Sequence, residues 1–316
     1  MRRPWNPPGM RSILVIGDMG DSHLAAVVAR VEELGRVAPV VIDAPSLARS
    51  PYSLIDLKLT IQGTTIDLGD GGAGWLRRYA PSMWGAGLVE GSLDAARKRS
   101  LLTLVGSITR LGARRWLTTL ECMLRAEDRL VQLEIAARAG HAVPRSIVTS
   151  DASIARAALG DHFVVKPMTI GYFNTDDGPR AVFATILHAD ELDSLDFADA
   201  PFVAQETIHA RHHLRVVTVS DRAWVTSIDA CGRPLDWRRQ ESAHSSWTPT
   251  PDPEAAASAL SMARAFGIGY SSQDWIRDEL GRLVFLDLNP GGQWMFLPQE
   301  VSDEITTAIA LMLTAS

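Results

Sequence analysis

The sequence predicts an α/β protein, on three observations. The chain opens on a βαβ pattern. Ser12-Ile13-Leu14-Val15-Ile16-Gly17 reads as a buried strand, an apolar-periodic helix follows near 22–34, and Val40-Val41-Ile42 reads as a second, parallel strand. Helical patterns then alternate with short β-branched runs to the C-terminus. Near the end, the runs 272–277 and 283–289 flank the turn Asp278-Glu279-Leu280-Gly281, which predicts a hairpin.

The first helix carries Leu24, Val27, Val28, Val31 and Leu34 on one face and stops at Gly35. Gly17-Asp18-Met19-Gly20 hints at a dinucleotide loop, but it lacks a third glycine and places acids where phosphate would approach. Residues 52–68 alternate like a hairpin, and 92–117 read as helical with Arg and Lys on one side. A second unit begins near 120. Ala126-Glu127-Asp128 starts a helix with Leu130, Leu133 and Ala137 inward, Gly140 at its C-cap and Pro144 beyond. Phe163 to Pro167 is a short strand on which Pro167 keeps Lys166 extended. Residues 171–178 form a polar turn region, and 202–208 another strand. The runs 214–219 and 223–228 make a hairpin around Ser220-Asp221, and 234–246 is a polar loop. Asp252-Pro253-Glu254 starts a helix ending at Gly267, and a last helix spans 298–313. The Pro-rich residues 1–10 read as disordered.

With 316 residues, 46% of them hydrophobic, the chain can build two or three packed domains. A net charge of −6 gives no general field for nucleic acid, although Arg pairs such as Arg77-Arg78 and Arg238-Arg239 offer local sites for an acidic ligand. No apolar run approaches a membrane span and the N-terminus has no signal-type apolar core. Cys122 and Cys231 stand outside any metal or redox spacing, which suits a reducing, cytoplasmic setting.

The late hairpin carries the chemistry. Pairing its strands brings Asp274 close to Asp287, and Asn289, two positions on, faces the same side as Asp287. Three hard oxygen ligands then converge. Mg²⁺ takes one or two carboxylates and completes its octahedron with water and substrate phosphates, so the set suits an ATP site. Asp and Asn are also ordinary hairpin-end residues. His209, His212 and His213 have no Cys or carboxylate at a zinc spacing and read as polar groups of a loop or active site.

The chain resembles the ATP-grasp ligases, and more narrowly the ATP-grasp ribosomal peptide maturases that make microviridin-type graspetides. The residues that carry the resemblance run along nearly the whole chain. They are Trp75-Leu76-Arg77-Arg78, Trp116-Leu117, Ala126 to Leu133, Val143-Pro144-Arg145, Val164-Val165-Lys166-Pro167, Gln205-Glu206, Leu214-Arg215-Val216, Asp236-Trp237-Arg238, Ser272-Gln273-Asp274, and Leu286-Asp287-Leu288-Asn289-Pro290-Gly291-Gly292-Gln293-Trp294. The Asp-Trp-Arg and Asn-Pro-Gly-Gly-Gln-Trp pieces are the most specific.

The resemblance implies an ATP-grasp fold. An N-terminal pre-ATP-grasp α/β domain would cover 1–119, a central lobe 120–201, and a C-terminal lobe 202–316, with ATP held between the two α+β lobes. It implies that a carboxylate attacks the γ-phosphate of ATP, and that a hydroxyl or amine then displaces phosphate. In the maturases both groups belong to one ribosomal precursor peptide, made of a leader and an acidic core, and the product is a side-chain lactone or lactam. By resemblance, Mg²⁺ falls to Asp274, Asp287 and Asn289, and the α/β-phosphates to Lys166, with Arg129 also on the nucleotide. Adenine falls to the backbone of Gln205, Glu206, Thr207 and Ile208. Arg215 and Arg238 would act catalytically at the γ-phosphate and acyl phosphate. Leader docking points to 229–247 and the helix start at Ser153, with Trp237 and Trp247 as anchors or as packing residues. Arg77 and Arg78 face an acidic peptide or solvent. A homodimer is the usual assembly.

The sequence departs from the pattern at three positions: Arg129 replaces a lysine, Asp287 stands where many members carry Glu, and His213 stands where relatives often have an acid. Two other readings stay open. One is a ligase that appends an amino acid to a peptide or protein carboxylate. The other is a leader-binding partner without turnover.

Overall fold

The computed structural model describes residues 12–36, 38–81, 84, 89–168, 172–175, 178–181, 185–188, 200–233, 240, 243 and 245–315. Residues 1–10 and Asp236, Trp237 and Arg238 lie outside them.

The βαβ opening forms as the pattern predicts. Ile13–Ile16 pairs in parallel with Val40–Ile42 on one side and with Ala73–Leu76 on the other, and Arg115–Trp116 closes a four-stranded parallel sheet. Helix Ser22–Glu33 connects the first two strands, capped by Asp21 and ended at Gly35 with φ 69°. The 52–68 region gives three antiparallel strands rather than one hairpin: Tyr52–Ile55, Lys58–Ile61 and Thr64–Asp67. The 92–117 helix stops early, at Arg110. Two residues later Gly112 has φ 77°, and a Cβ there would meet the Leu68 carbonyl oxygen at 2.1 Å. The chain turns at that point, and its next residues pair as the sheet's edge strand.

The helix expected to start at Ala126-Glu127-Asp128 forms just beyond Asp128, with Leu133 inward but Leu130 and Ala137 exposed, and a further helix precedes it. Leu120–Glu127 and Arg129–Arg138 meet at Asp128, which ends the first and caps the second by accepting from Leu130 N and Val131 N at 3.0 and 3.2 Å. A second four-stranded sheet follows in the order Thr185–His188, His162–Pro167, Phe202–Glu206, Ser146–Thr149. The polar 171–178 region contains a strand pair, Tyr172–Thr175 with Gly178–Ala181.

A five-stranded sheet carries the C-terminal region, in the order Thr248–Pro249, Arg222–Asp229, Ala210–Val219, Tyr270–Asp278, Leu283–Asn289. Helix Pro253–Phe266 starts at the Asp252 cap and ends at Gly267 in the left-handed region. Helix Gln299–Thr314 closes the chain.

The cores cross these units. Val15, Leu24 and Trp75 share one apolar cluster with Val217, Trp294 and Ile305. Leu133 and Ala136 share another with Leu214, Phe266 and Phe285. Among the described residues, no helix is long and apolar enough to cross a membrane.

Candidate active site

The late hairpin forms and brings the two carboxylates together as expected. Asp274 lies directly opposite Asp287, and Ser272 opposite Asn289. The alternation of the second strand sends Leu288 into the core and leaves Asp287 and Asn289 on the other face. A bulge between Asp274 and Trp275 marks the pairing just beyond the two carboxylates.

Two arginines close on this pair. Arg215, on the neighbouring strand, is in register with Asp274, and its Nε lies 3.3 Å from Asp274 Oδ1. Its Nη1 donates to Ser272 Oγ at 3.0 Å, and its guanidinium covers Phe296 at 5.3 Å. Arg129 is the first residue of its helix, where the Asp128 cap fixes its backbone. Its Nε lies 3.7 Å from Asp287 Oδ1, and its Nη1 donates to the Pro167 carbonyl at 2.5 Å. One side chain therefore joins the hairpin to the strand end that carries Lys166.

The donor set fits a hard divalent ion. It holds two carboxylates and one amide oxygen, and Asp274 Oδ1 is buried without a hydrogen bond among the described residues. Asn289 Oδ1 accepts from Gly291 N at 2.9 Å, which keeps the amide oriented and leaves a second lone pair.

Lys166 sits half-buried at the end of its strand, opposite Val203. Gln205 is buried on the next strand and donates to Ser146 Oγ at 2.8 Å. Glu206 exchanges two bonds with the Arg145 backbone, both 2.9 Å. Thr207 and Ile208 follow the end of that strand, so the expected 202–208 strand stops at Glu206, and residues 207–209 link the second sheet to the five-stranded one. Thr207 Oγ1 is buried without a hydrogen bond among the described residues. The structure thus gathers Arg129, Arg215, Asp274, Asp287 and Asn289, and sets Gln205 to Ile208 at the junction of two sheets. Arg238 lies outside the described residues. His213 is buried on its strand and His209 is exposed in the link. Among the described residues, no three His, Cys, Asp or Glu side chains group to hold a metal.

Two further residues hold the backbone around the site: Gln132, which the sequence left without a role, and Arg77, which it expected to face an acidic peptide or solvent. Gln132 donates to the Leu288 carbonyl at 2.7 Å and accepts from Leu288 N at 2.9 Å, which fixes the strand between Asp287 and Asn289. Arg77 is neither solvated nor open to a peptide, being 1% exposed. Its Nε donates to Asp21 Oδ2 at 3.0 Å, and its Nη1 to the Gly291 and Gly292 carbonyls at 2.6 and 2.9 Å. Arg78 keeps partial exposure and lines a cavity of about 390 Å³ with Gly17, Asp18, Asp21, His23 and Gln293. Trp247 is 4% exposed and packs edge-on to Phe296, so it serves the core. Local pattern held no signal for Gln132 or Arg77, because their partners are distant in sequence.

Burial acts to raise Asp21, but the His23 hydrogen bond and the Arg77 guanidinium outweigh it and hold the carboxyl well below the usual range.

No protein-family model and no curated protein matches the chain. Solved structures do. A Chryseobacterium gregarium RiPP-associated ATP-grasp ligase, in complex with ADP and a leader and core peptide, superposes with a TM-score of 0.81 at 20% identity, over 96% of each chain. The macrocyclase MdnC from Microcystis aeruginosa, bound with precursor peptide MdnA, superposes at 0.80 and 20% identity, over 97% of this chain and all of that one. A RimK domain ATP-grasp protein from Sphaerobacter thermophilus is more distant, at 0.60 and 12% identity over 95% and 98% of the two chains. At these identities the likeness is one of architecture, and this chain has the fold of the ATP-grasp ligases.

Proposed function

We propose that the protein is an ATP-dependent ligase. It activates Asp or Glu side chains of a ribosomal precursor peptide as acyl phosphates, and it closes ω-ester or ω-amide macrocycles. The observation that carries this reading is the register of Asp274 against Asp287 with Arg215 and Arg129 on the pair. The likeness to peptide-bound macrocyclases narrows the substrate to a peptide.

A side-chain carboxylate lacks a leaving group. Its oxygen attacks the γ-phosphorus of ATP, the bond to ADP breaks, and an acyl phosphate forms. A peptide hydroxyl or amine then attacks the acyl carbon, loses its proton, and expels phosphate. The protein's task is positioning and charge neutralisation. Asp274, Asp287 and Asn289 would hold Mg²⁺, which as a Lewis acid neutralises phosphate oxygens. Lys166 would reach the α/β-phosphates, and Arg129, which joins Asp287 to the Pro167 carbonyl, would also bind the nucleotide. The Gln205 to Ile208 link receives adenine through its backbone. Arg215 and Arg238 present forked donors to the transferring phosphoryl and the acyl phosphate. The leader docks along 229–247 and the helix Ala152–Leu159, where Ile154 is exposed. The assembly is a homodimer in the cytoplasm.

Incubation with ATP, Mg²⁺ and an acidic peptide rich in Ser, Thr and Lys should remove one water per bond, read by mass spectrometry. Asp274→Ala and Asp287→Ala should stop ADP formation and keep the wild-type circular dichroism. Gain of an amino-acid residue would point to the amino-acid ligase instead, and peptide binding without a mass change to a leader-binding partner. Wild-type turnover in either variant would remove the metal assignment.

A further inference from the structure

The loop that follows Asn289 is held from outside its own sheet. Gly291 N donates to Asn289 Oδ1 at 2.9 Å, so the position of Gly291 sets the direction of the amide oxygen. Gly291 and Gly292 in turn present their carbonyls to Arg77 Nη1, at 2.6 and 2.9 Å. Arg77 follows a strand of the N-terminal parallel sheet, and its Nε is anchored on Asp21 at 3.0 Å. The same Asp21 carboxylate lies 3.0 Å from His23 Nδ1, which leaves His23 Nε2 to accept from Trp294 N and Met295 N at 3.2 and 3.3 Å. Tyr270 OH donates to the Gly292 carbonyl at 3.0 Å. Gly292 has no room to shift toward the sheet, because a Cβ there would lie 2.4 Å from Ser272 Cβ. From 291 to 295 the loop is thus pinned by one buried arginine, one buried imidazole and one buried phenol. Arg77 and His23 share a single carboxylate.

We infer that Asp21, His23 and Arg77 form a latch from the N-terminal domain that positions Asn289, and that Arg77 is a positioning residue for metal and nucleotide at the site. The inference rests on the ligase reading, because it gives Asn289 an ion to hold. The physical reason lies in the geometry of the guanidinium. Its Nε holds a carboxylate while its Nη1 donates to two carbonyls, a fixed spacing that an ammonium on a flexible stem cannot reproduce. Groups that orient a ligand without touching the ion change metal affinity by about 10- to 100-fold when altered.

The test uses the full-length protein and Mn²⁺ with ADP, bound Mn²⁺ being followed by electron paramagnetic resonance, beside the Mg²⁺ dependence of ADP formation. Arg77→Lys should weaken Mn²⁺–ADP binding about 10- to 100-fold and raise the Mg²⁺ needed for half-maximal rate. Asn289→Ala should weaken it as well. The double variant should be no weaker than Asn289→Ala alone, because both changes remove one interaction. A purely structural role would multiply the two losses, and that outcome overturns the inference, as does wild-type binding by Arg77→Lys. If Arg77→Lys does not fold, His23→Gln with and without Asn289→Ala decides by the same criterion. Failure of the wild-type protein to bind Mn²⁺–ADP would sink the ligase reading itself, and the latch with it.

Discussion

Asp21 touches three partners with one carboxylate: His23, Arg77 and, at 3.5 Å, Arg78. Burial alone would favour its protonated form. The hydrogen bond from His23 and the charge of Arg77 reverse that preference. Asp70 repeats the pattern: burial raises it, while Ser12, Gly72 and Arg114 lower it below the ordinary carboxylate range. Both groups have folded pKa values below their unfolded ones. Their stabilisation is complete above the unfolded value of about 4 and is lost as pH falls through the folded values. Urea unfolding at a series of pH values from 7 down to 2 should show stability dropping below about pH 4. Asp21→Asn and Asp70→Asn should each flatten that drop. An unchanged pH slope in both variants would mean that other carboxylates dominate acid unfolding. At this scale the sequence showed which residues carry charge. It could not show that Arg77 is buried, since its carbonyl acceptor at Gly291 is 214 positions away.

The elements that local chemistry controls were the most legible. Asp252-Pro253 and Gly267 bracket their helix as predicted. The 270–289 hairpin forms around its expected turn, but turn and period alone would set Asp274 against Leu286; the bulge between Asp274 and Trp275 shifts the register by one and brings Asp287 opposite. The helix start at Asp128 was legible, but the helix before it, Leu120–Glu127, was not, because one side chain both ends that helix and begins the next. That joint matters for the site, since it fixes the residue that reaches Asp287. Asp128→Ala removes both capping bonds and should cost about 1 kcal/mol in urea unfolding. It should also raise the KM for ATP, because Arg129 loses its anchored start. Asp128→Asn keeps the cap and should restore most of both. Normal nucleotide kinetics in a destabilised Asp128→Ala would separate the cap from the site.

Across the whole molecule, the N-terminal sheet and the C-terminal region share a core, and Trp294 is its centre. Its indole is fully buried, 4.6 Å from the His23 ring and 5.3 Å from Tyr270, with Nε1 donating to Thr306 Oγ1 at 3.1 Å. Trp294→Ala should cost about 3–5 kcal/mol. Wild-type unfolding followed by fluorescence and by far-ultraviolet circular dichroism should coincide as one transition. Two separate transitions would show that the units fold independently despite the shared core. No sequence window could reveal this sharing, because Val15 and Ile305 meet only after the chain has closed on itself.

The pairing of Arg215 with Asp274 and of Arg129 with Asp287 leaves this corner of the protein with two negative and two positive groups. A lone cation arriving there finds its anchors already engaged. On the proposed function, a triphosphate would give the guanidinium groups a richer partner and release the acids to the ion that travels with it. Ion and nucleotide would then enter as one charge-compensated guest, neither gaining much by arriving first.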